Sequence, residues 1–498
     1  MRSLLGVFVL FASAVPTLRA ADWIRVDSPH FELYTTLSDE QARRNLETFE
    51  QARDFLLSIK SLSIPPEMPV IVVAFSTAGE YKPYSPGEFK PAYSTADEQR
   101  DYIVMSDLGS DRTRAAIHEY VHVLVRNSGL RVPLWLNEGL AEVYSGMKVH
   151  EGHVLIGAIA DDRIRSLGSS DLMRLSALFA VRADSPEYNE QKRASTFYAE
   201  SCLLAHMLTL GNAYALKFPD FLNSIAASGS AQTAFADVYG KSLAEVERDL
   251  VAYFRQSSTA GAVYAAPERT EEAFTSRPAT ELEVGLTLAK ITGLQRRFDE
   301  AGKKLAELSA AHPRNSDIEE AQAYLAWHSG DREGALRSFA LILEHGGARW
   351  KTYWDYARLL EEARPDPPRE IDALQKALEL KPEFGDARFM LGRELFLTGQ
   401  RAAALAALKQ IKDPDSRYAG TMFLWMARAA AESGVPDEAR QYVQEAKKYP
   451  LTAEESTSLD MLLSRLDRPV PKDDDDDGKR PTIRRRNAGK AKPPASSQ

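Results

Sequence analysis

Small residues recur through the second half of the chain with a period of about 34 residues. Ala301 and Ala335 lie 34 positions apart, and Ala404 and Ala439 lie 35 positions apart. A glycine stands five positions before three of these alanines, where two helices must turn: Gly330, Gly399 and Gly434. In a repeat of this length, each helical pair leaves an apolar face that only the next pair can cover. The sequence therefore predicts a stack of helical pairs with a concave face.

This repeat resembles the tetratricopeptide repeat over residues 280–450, with about five units. The dipeptides Ala377-Leu378 and Leu391-Gly392 are among the better matches. Such solenoids bind peptide segments or partner proteins, so the resemblance implies a protein partner on this region. An all-α bundle without a binding groove is the alternative.

The first half of the chain alternates strands and helices. Residues 69–76 read as a buried strand, 81–93 as a loop rich in Pro, Gly and Tyr, and 100–106 as a strand with one exposed face. Helices are predicted over 112–126 and 133–145, followed by a mostly helical lobe. The predicted organisation is a signal peptide at 1–21, a first domain at 22–257, a linker at 258–279, the repeats at 280–467 and a disordered charged tail at 468–498.

The first predicted helix carries the motif His118-Glu119-x-x-His122. Side chains four positions apart project from one face of a helix, so the two imidazoles can bind the same Zn²⁺ ion. Glu119 lies one step around the helix, where it can serve as a general base for a water molecule. The motif therefore predicts a zinc site with His118 and His122 as ligands.

The next predicted helix contains WLNEGLAE at residues 135–142. Glu138 is the expected third ligand, because two imidazoles and one carboxylate leave a fourth position on zinc for water. Glu142 lies four residues further on the same face, where it can accept a hydrogen bond from the outer N–H of a ligating histidine. The alternative is a surface helix with both glutamates in water.

HEYVH followed by WLNEGLAE resembles the gluzincin metallopeptidases, and in particular the peptidase MA-like group. The resemblance implies an α+β thermolysin-like catalytic domain followed by the all-α tetratricopeptide-type solenoid. It also implies an edge strand that pairs with extended substrate, for which residues 100–106 are the candidate. A tyrosine or histidine from the second lobe should stabilise the oxyanion: Tyr198 is the first candidate, and Tyr188 and His206 are alternatives. The aminopeptidase signature has no counterpart here, so endopeptidase action is expected.

Composition and the chain ends complete the expectations. The formal net charge of −9 disfavours nucleic-acid binding. Cys202 is the single cysteine, so the chain can form no internal disulfide and no thiolate metal site; we expect it to act as a small buried hydrophobe. The basic and apolar start predicts export to the periplasm or the extracellular space, and no later segment is apolar enough to span a membrane. An uncleaved anchor helix is the alternative.

The sequence thus predicts an exported zinc metallopeptidase whose repeats recruit a peptide or protein substrate or a partner. A second hypothesis is an interaction scaffold, in which the repeats act and the zinc domain is catalytically silent. A third is a zinc hydrolase that acts on a non-peptide bond, because ligand chemistry alone does not define the substrate.

Overall fold

The computed structural model of the protein describes most of the chain. The described residues are 23–58, 69–87, 90–106, 110–168, 172–256, 261–267, 274–346, 348–412, 414 and 418–467. The predicted signal peptide and the predicted charged tail lie outside these residues. Within the described ranges, no helix has both the length and the apolar character needed to cross a membrane.

The chain divides into two compact units, Met1–Ala348 and Arg349–Gln498. The first unit extends beyond the predicted first domain, because it also includes the first four helices of the predicted repeat region. The described residues of the second unit form helices and their connecting turns, without a strand.

Strands occur in the first unit. In chain order they are β1 (Ile24–Asp27), β2 (Phe31–Thr35), β3 (Val70–Phe75), β4 (Ala92–Ala96), β5 (Asp101–Ser106), β6 (Lys148–His150), β7 (His153–Ile156), β8 (Ala262–Ala265) and β9 (Thr275–Pro278). The larger sheet has the order β4-β5-β3-β2-β1-β9, and the smaller has the order β6-β7-β8. Strand β3 pairs in parallel with β2 and β5, whereas the other pairs in the larger sheet are antiparallel. The sheet is therefore mixed.

The helices of the first unit follow the same chain order. They are α1 (Asp39–Ser58), α2 (Ala78–Tyr81), α3 (Ser110–Asn127), α4 (Leu134–Ser145), α5 (Asp161–Gly168), α6 (Leu175–Ala180), α7 (Pro186–Asn189), α8 (Gln191–Leu210), α9 (Phe218–Ser228), α10 (Ala231–Tyr239), α11 (Leu243–Arg255), α12 (Glu281–Leu294), α13 (Phe298–Ala311), α14 (Ser316–Ser329) and α15 (Arg332–His345).

One face of the larger sheet packs against α1 and α3. Every residue of β3 is buried, as expected for a central parallel strand that is covered on both faces. On this first face, the ring of Phe31 lies 5.2 Å from that of Phe49 on α1 and 5.0 Å from that of Tyr120 on α3. Helix α3 therefore sits on the sheet with its buried side fixed by aromatic packing.

The edge of the sheet nearest α3 is β4, and the expectation that residues 100–106 form this edge is wrong. Strand β5 lies between β3 and β4, with Ser94 opposite Ile103 in the antiparallel register. The predicted loop at 81–93 ends in the first two residues of β4. This short strand pairs with the outer side of β5, and the local sequence did not indicate it.

The second face of the sheet is covered by α12. Val284 and Ile291 of this helix share a buried core with sheet residues such as Tyr34, Val73 and Val104. The segment predicted as a linker contains β8 and β9, and β9 pairs with β1 along its full length. The described part of residues 258–279 is therefore integrated into the sheets, because its backbone groups bond to neighbouring strands.

Helical hairpins of the predicted repeat type follow. In the first unit, α12 packs on α13 and α14 on α15. The second unit contains α16 (Trp350–Ala363), α17 (Pro367–Leu380), α18 (Gly385–Leu397), α19 (Arg401–Leu408), α20 (Ala419–Glu432), α21 (Pro436–Ala446) and α22 (Ala453–Leu466). The three predicted turn glycines have positive φ angles and lie between paired helices, and the four recurring alanines are fully buried. These elements are TPR-like helical repeats.

Candidate metal centre

The structure brings His118, His122 and Glu138 together between α3 and α4. The Oε2 atom of Glu138 lies 3.2 Å from His118 Nε2 and 3.4 Å from His122 Nε2. One ligand atom from each of the three residues lies within 4.8 Å of the others. Helical spacing places the two imidazoles on one face of α3. Because α4 packs on α3, the carboxylate of Glu138 lies next to them.

The protonation behaviour of this cluster follows from its burial and its charges. Burial alone would raise the pKa of Glu138, but the hydrogen bonds and charges of His118 and His122 outweigh it and lower that pKa strongly. Burial acts to lower the pKa of His122, whereas Glu138 raises it, and the net shift is upward. The carboxylate therefore stays ionised, and two nitrogen donors with one oxygen donor suit Zn²⁺.

Asn137 orients His122, a contact that the sequence analysis did not identify. The distance between His122 Nδ1 and Asn137 Oδ1 is 3.1 Å. Because the amide oxygen can only accept, His122 donates its Nδ1 proton to Asn137, and this leaves Nε2 as the nitrogen that can bind a metal ion. Asn137 directly precedes Glu138 in the motif, and this adjacency is the sequence signal that could have indicated its contact with His122.

Glu142 faces His118 but does not form the predicted hydrogen bond. Its Oε1 lies 3.8 Å from His118 Nδ1, which is longer than a hydrogen bond. Arg163 of α5 donates two hydrogen bonds to this carboxylate instead. Its Nη2 lies 2.8 Å from Oε1, and its Nε lies 3.2 Å from Oε2. Arg114 also lies 3.5 Å from Oε2. Two arginines thus hold Glu142 beside the histidine, and their positions depend on tertiary packing that the motif does not encode.

Glu119 is held by the edge strand β4. Its Oε2 accepts hydrogen bonds from the backbone N–H of Ser94 at 2.8 Å and from the Ser94 hydroxyl at 2.9 Å. The negative charge of Glu119 also helps to raise the pKa of His122, so the carboxylate lies within electrostatic reach of the cluster. Ser94 was not predicted, because it lies 25 residues away on a strand that the sequence did not reveal.

Two tyrosines approach the cluster. Tyr188 donates a hydrogen bond to Glu138 Oε1 at 2.9 Å, and the ring of Tyr198 lies 5.9 Å from that of Tyr188. The ring of Tyr198 lies 6.4 Å from that of His118. Burial, reinforced by the charge of Glu138, raises the pKa of both tyrosines, so both hydroxyls stay protonated as hydrogen-bond donors.

His206 and Cys202 belong to the surrounding core. His206 Nδ1 lies 2.7 Å from the hydroxyl of Tyr253 on α11, and its ring is buried beside Gly157. This alternative oxyanion candidate is not part of the cluster. Cys202 is buried, and burial raises the pKa of its thiol, so the thiol is neutral.

Comparison with known proteins gives matches among solved structures only. No protein-family model matches the sequence, and no curated protein matches it. One similar structure is YrrB, a TPR protein with an unusual peptide-binding site, with 15% identity, coverage of 36% of this chain and 90% of YrrB, and a TM-score of 0.32. Another is MamA, with 19% identity, coverage of 34% of this chain and 96% of MamA, and a TM-score of 0.29.

The fold and the site together define the class of this chain. TPR-like helical repeats follow an α/β region with a mixed sheet. Within the described residues, this α/β region carries one cluster of two histidines and a carboxylate with metal-ligand spacing.

Proposed function

We propose that the protein is a zinc-dependent peptidase with its centre at His118, His122 and Glu138. The observation that carries this proposal is the convergence of the three ligand atoms within 4.8 Å, next to an anchored Glu119. Zinc bound there supplies a Lewis acid that lowers the pKa of water and polarises a carbonyl.

Glu119 is the proposed general base. Ser94 occupies Oε2 with two hydrogen bonds, so Oε1 remains to take a proton from the attacking water and to pass it to the leaving amine. Tyr198 remains the proposed oxyanion donor. Its ring lies 6.4 Å from that of His118, so its hydroxyl can serve as a donor beside the metal ligands.

Strand β4 supports a peptide as the substrate. It is an edge of the larger sheet and carries the serine that holds Glu119. An extended peptide can add to such an edge through backbone hydrogen bonds, largely without regard to its sequence. This geometry favours internal cleavage of a polypeptide, so we assign an endopeptidase activity. A zinc hydrolase that acts on another bond would have less use for a strand edge beside the metal ligands.

The TPR-like repeats favour a second candidate function. They extend from Glu281 to Leu466, and such repeats form surfaces that bind peptides or proteins. In the peptidase, the repeats recruit a substrate or a partner protein. In the alternative, the repeats form an interaction scaffold and the metal cluster is catalytically silent. For either function, the apolar N-terminal segment supports export to the periplasm or the extracellular space.

One experiment separates the two candidates. The purified full chain is assayed for zinc content and for casein cleavage, with and without a chelator and with zinc added back. A peptidase contains about one zinc per chain and loses its activity reversibly with the chelator. A scaffold shows no chelator-sensitive cleavage, and that result would refute the proposal.

Variants then test the roles of individual residues. Glu119→Gln should retain zinc but lose about 100-fold or more in turnover, because the general base is removed. His122→Ala should lose both zinc and activity. The exposed Glu151 offers a matched control, since Glu151→Gln makes the same chemical change outside the site and should leave both measurements unchanged.

A further inference from the structure

The two carboxylate oxygens of Glu138 have different partners. Oε2 faces the imidazoles, at 3.2 Å from His118 Nε2 and 3.4 Å from His122 Nε2. Oε1 accepts a hydrogen bond from the hydroxyl of Tyr188 at 2.9 Å. One oxygen is therefore directed at the metal position, while the other is already occupied.

The local structure fixes Tyr188 in this position. The residue lies on α7, a single helical turn in which the Tyr188 N–H bonds to Ser185 O at 3.1 Å. The Asn189 side chain ties the turn further, by donating to Ala183 O at 2.8 Å and Ser185 O at 2.9 Å. The Tyr188 ring packs edge-on against Phe197, with ring centroids 5.9 Å apart.

The direction of the hydroxyl proton is also fixed. A tyrosine hydroxyl has one proton to donate, and Glu138 as an ionised carboxylate can only accept. Tyr188 therefore donates its proton to Glu138 Oε1.

We propose that Tyr188 is a positioning residue that restricts Glu138 to binding the metal through Oε2 alone. This inference rests on the zinc site of the proposed function. Because Tyr188 acts through Glu138, its effect falls on metal affinity and coordination number as well as on turnover. A hydrogen-bonding partner of this kind commonly contributes 10–100-fold to metal affinity. Without the hydroxyl, the carboxylate can rotate and offer both oxygens, which raises the coordination number.

The test compares Tyr188→Phe with the parent by metal binding rather than by activity. Phenylalanine keeps the ring contacts with Phe197 and removes only the hydroxyl. Zinc affinity is measured by competition with a chromophoric chelator at constant pH. Co²⁺ is then substituted, since its visible d–d bands weaken as four-coordination gives way to higher coordination. Tyr239→Phe is the matched control, because its hydroxyl bonds to Tyr214 O on the α10 side of the unit.

We expect Tyr188→Phe to bind zinc about 10–100-fold more weakly and to give weaker cobalt bands, while Tyr239→Phe matches the parent. Equal zinc affinity and identical cobalt spectra for parent and Tyr188→Phe would overturn the inference and leave the proposed zinc site intact. A parent that binds neither metal would overturn both. If Tyr188→Phe melts at a lower temperature, the cobalt spectrum of its folded fraction still reports the coordination.

Discussion

Gly139 allows α4 to approach α8 more closely than any other residue could. A Cβ atom at this position would lie 2.3 Å from the backbone oxygen of Ser201 and 2.7 Å from the Cβ atom of Ala205. Neither obstacle can rotate away, because one is a backbone atom and the other is a side chain without rotamers. Gly139→Ala therefore forces the two helices apart, and α4 carries Glu138 and Glu142 with it.

The magnitude follows from two opposing effects. Alanine in place of glycine favours a helix interior by about 1 kcal/mol. Overpacking of a tight core costs about 1–3 kcal/mol, and contacts this short with backbone belong at the upper end. We expect a net loss of about 2 kcal/mol in the free energy of unfolding. Zinc affinity should fall as well, because the carboxylate ligand shifts away from the two imidazoles.

Gly302 provides the matched control in the same unit. It lies within α13, where an added Cβ would meet only Leu325 Cδ2 at 3.7 Å, an ordinary van der Waals contact. Gly302→Ala should therefore raise the free energy of unfolding by about 0.5–1 kcal/mol. Urea unfolding followed by circular dichroism measures both changes, and chelator competition measures zinc affinity. The steric reasoning fails if Gly139→Ala is as stable as the parent and binds zinc equally well.

Two further predictions concern the first unit. Burial raises the pKa of Glu200 from 4.5 to about 7, although the hydrogen bond from the Met173 N–H acts to lower it. The folded protein therefore keeps a proton in this pH range that the unfolded chain releases. Stability should fall by up to about 3 kcal/mol between pH 4.5 and 7, and Glu200→Gln should remove this slope in urea titrations at several pH values. A fragment of residues 22–279 exposes the sheet face that α12 covers, so it should aggregate in size-exclusion chromatography, whereas residues 22–346 should elute as a monomer. A monomeric shorter fragment would contradict the second expectation.

The residues of the cluster could be predicted because local geometry determines them. Helical periodicity places His118 and His122 on one face, and a mostly apolar helix soon after them supplies Glu138. Their partners could not be predicted in the same way. Ser94 and Arg163 reach the site from other elements, and nothing in the spacing of the motif indicates them.

Strand β4 shows why the sequence did not reveal the edge of the larger sheet. It is five residues long, follows a loop rich in Pro, Gly and Tyr, and has no strong alternation of its own. Its pairing with β5 and its contact with α3 stabilise it, and both depend on the completed sheet. The alternation of residues 100–106 gave the right element, β5, but could not show that another strand would cover its outer side.

The boundary between the α/β region and the repeats is where the predicted and observed folds differ most. The change in composition near residue 280 marks a real change from strands to repeated helices, yet α12 supplies the second layer of the sheet. The first repeats also contact β4, the strand that bonds to Glu119. Gln295 donates to the Tyr93 hydroxyl at 2.9 Å, next to Ser94, and His328 of α14 lies 2.6 Å from Glu98 just beyond β4. Because β4 is fixed by the first repeats on one side and bonds to Glu119 on the other, the first repeats help to build the site.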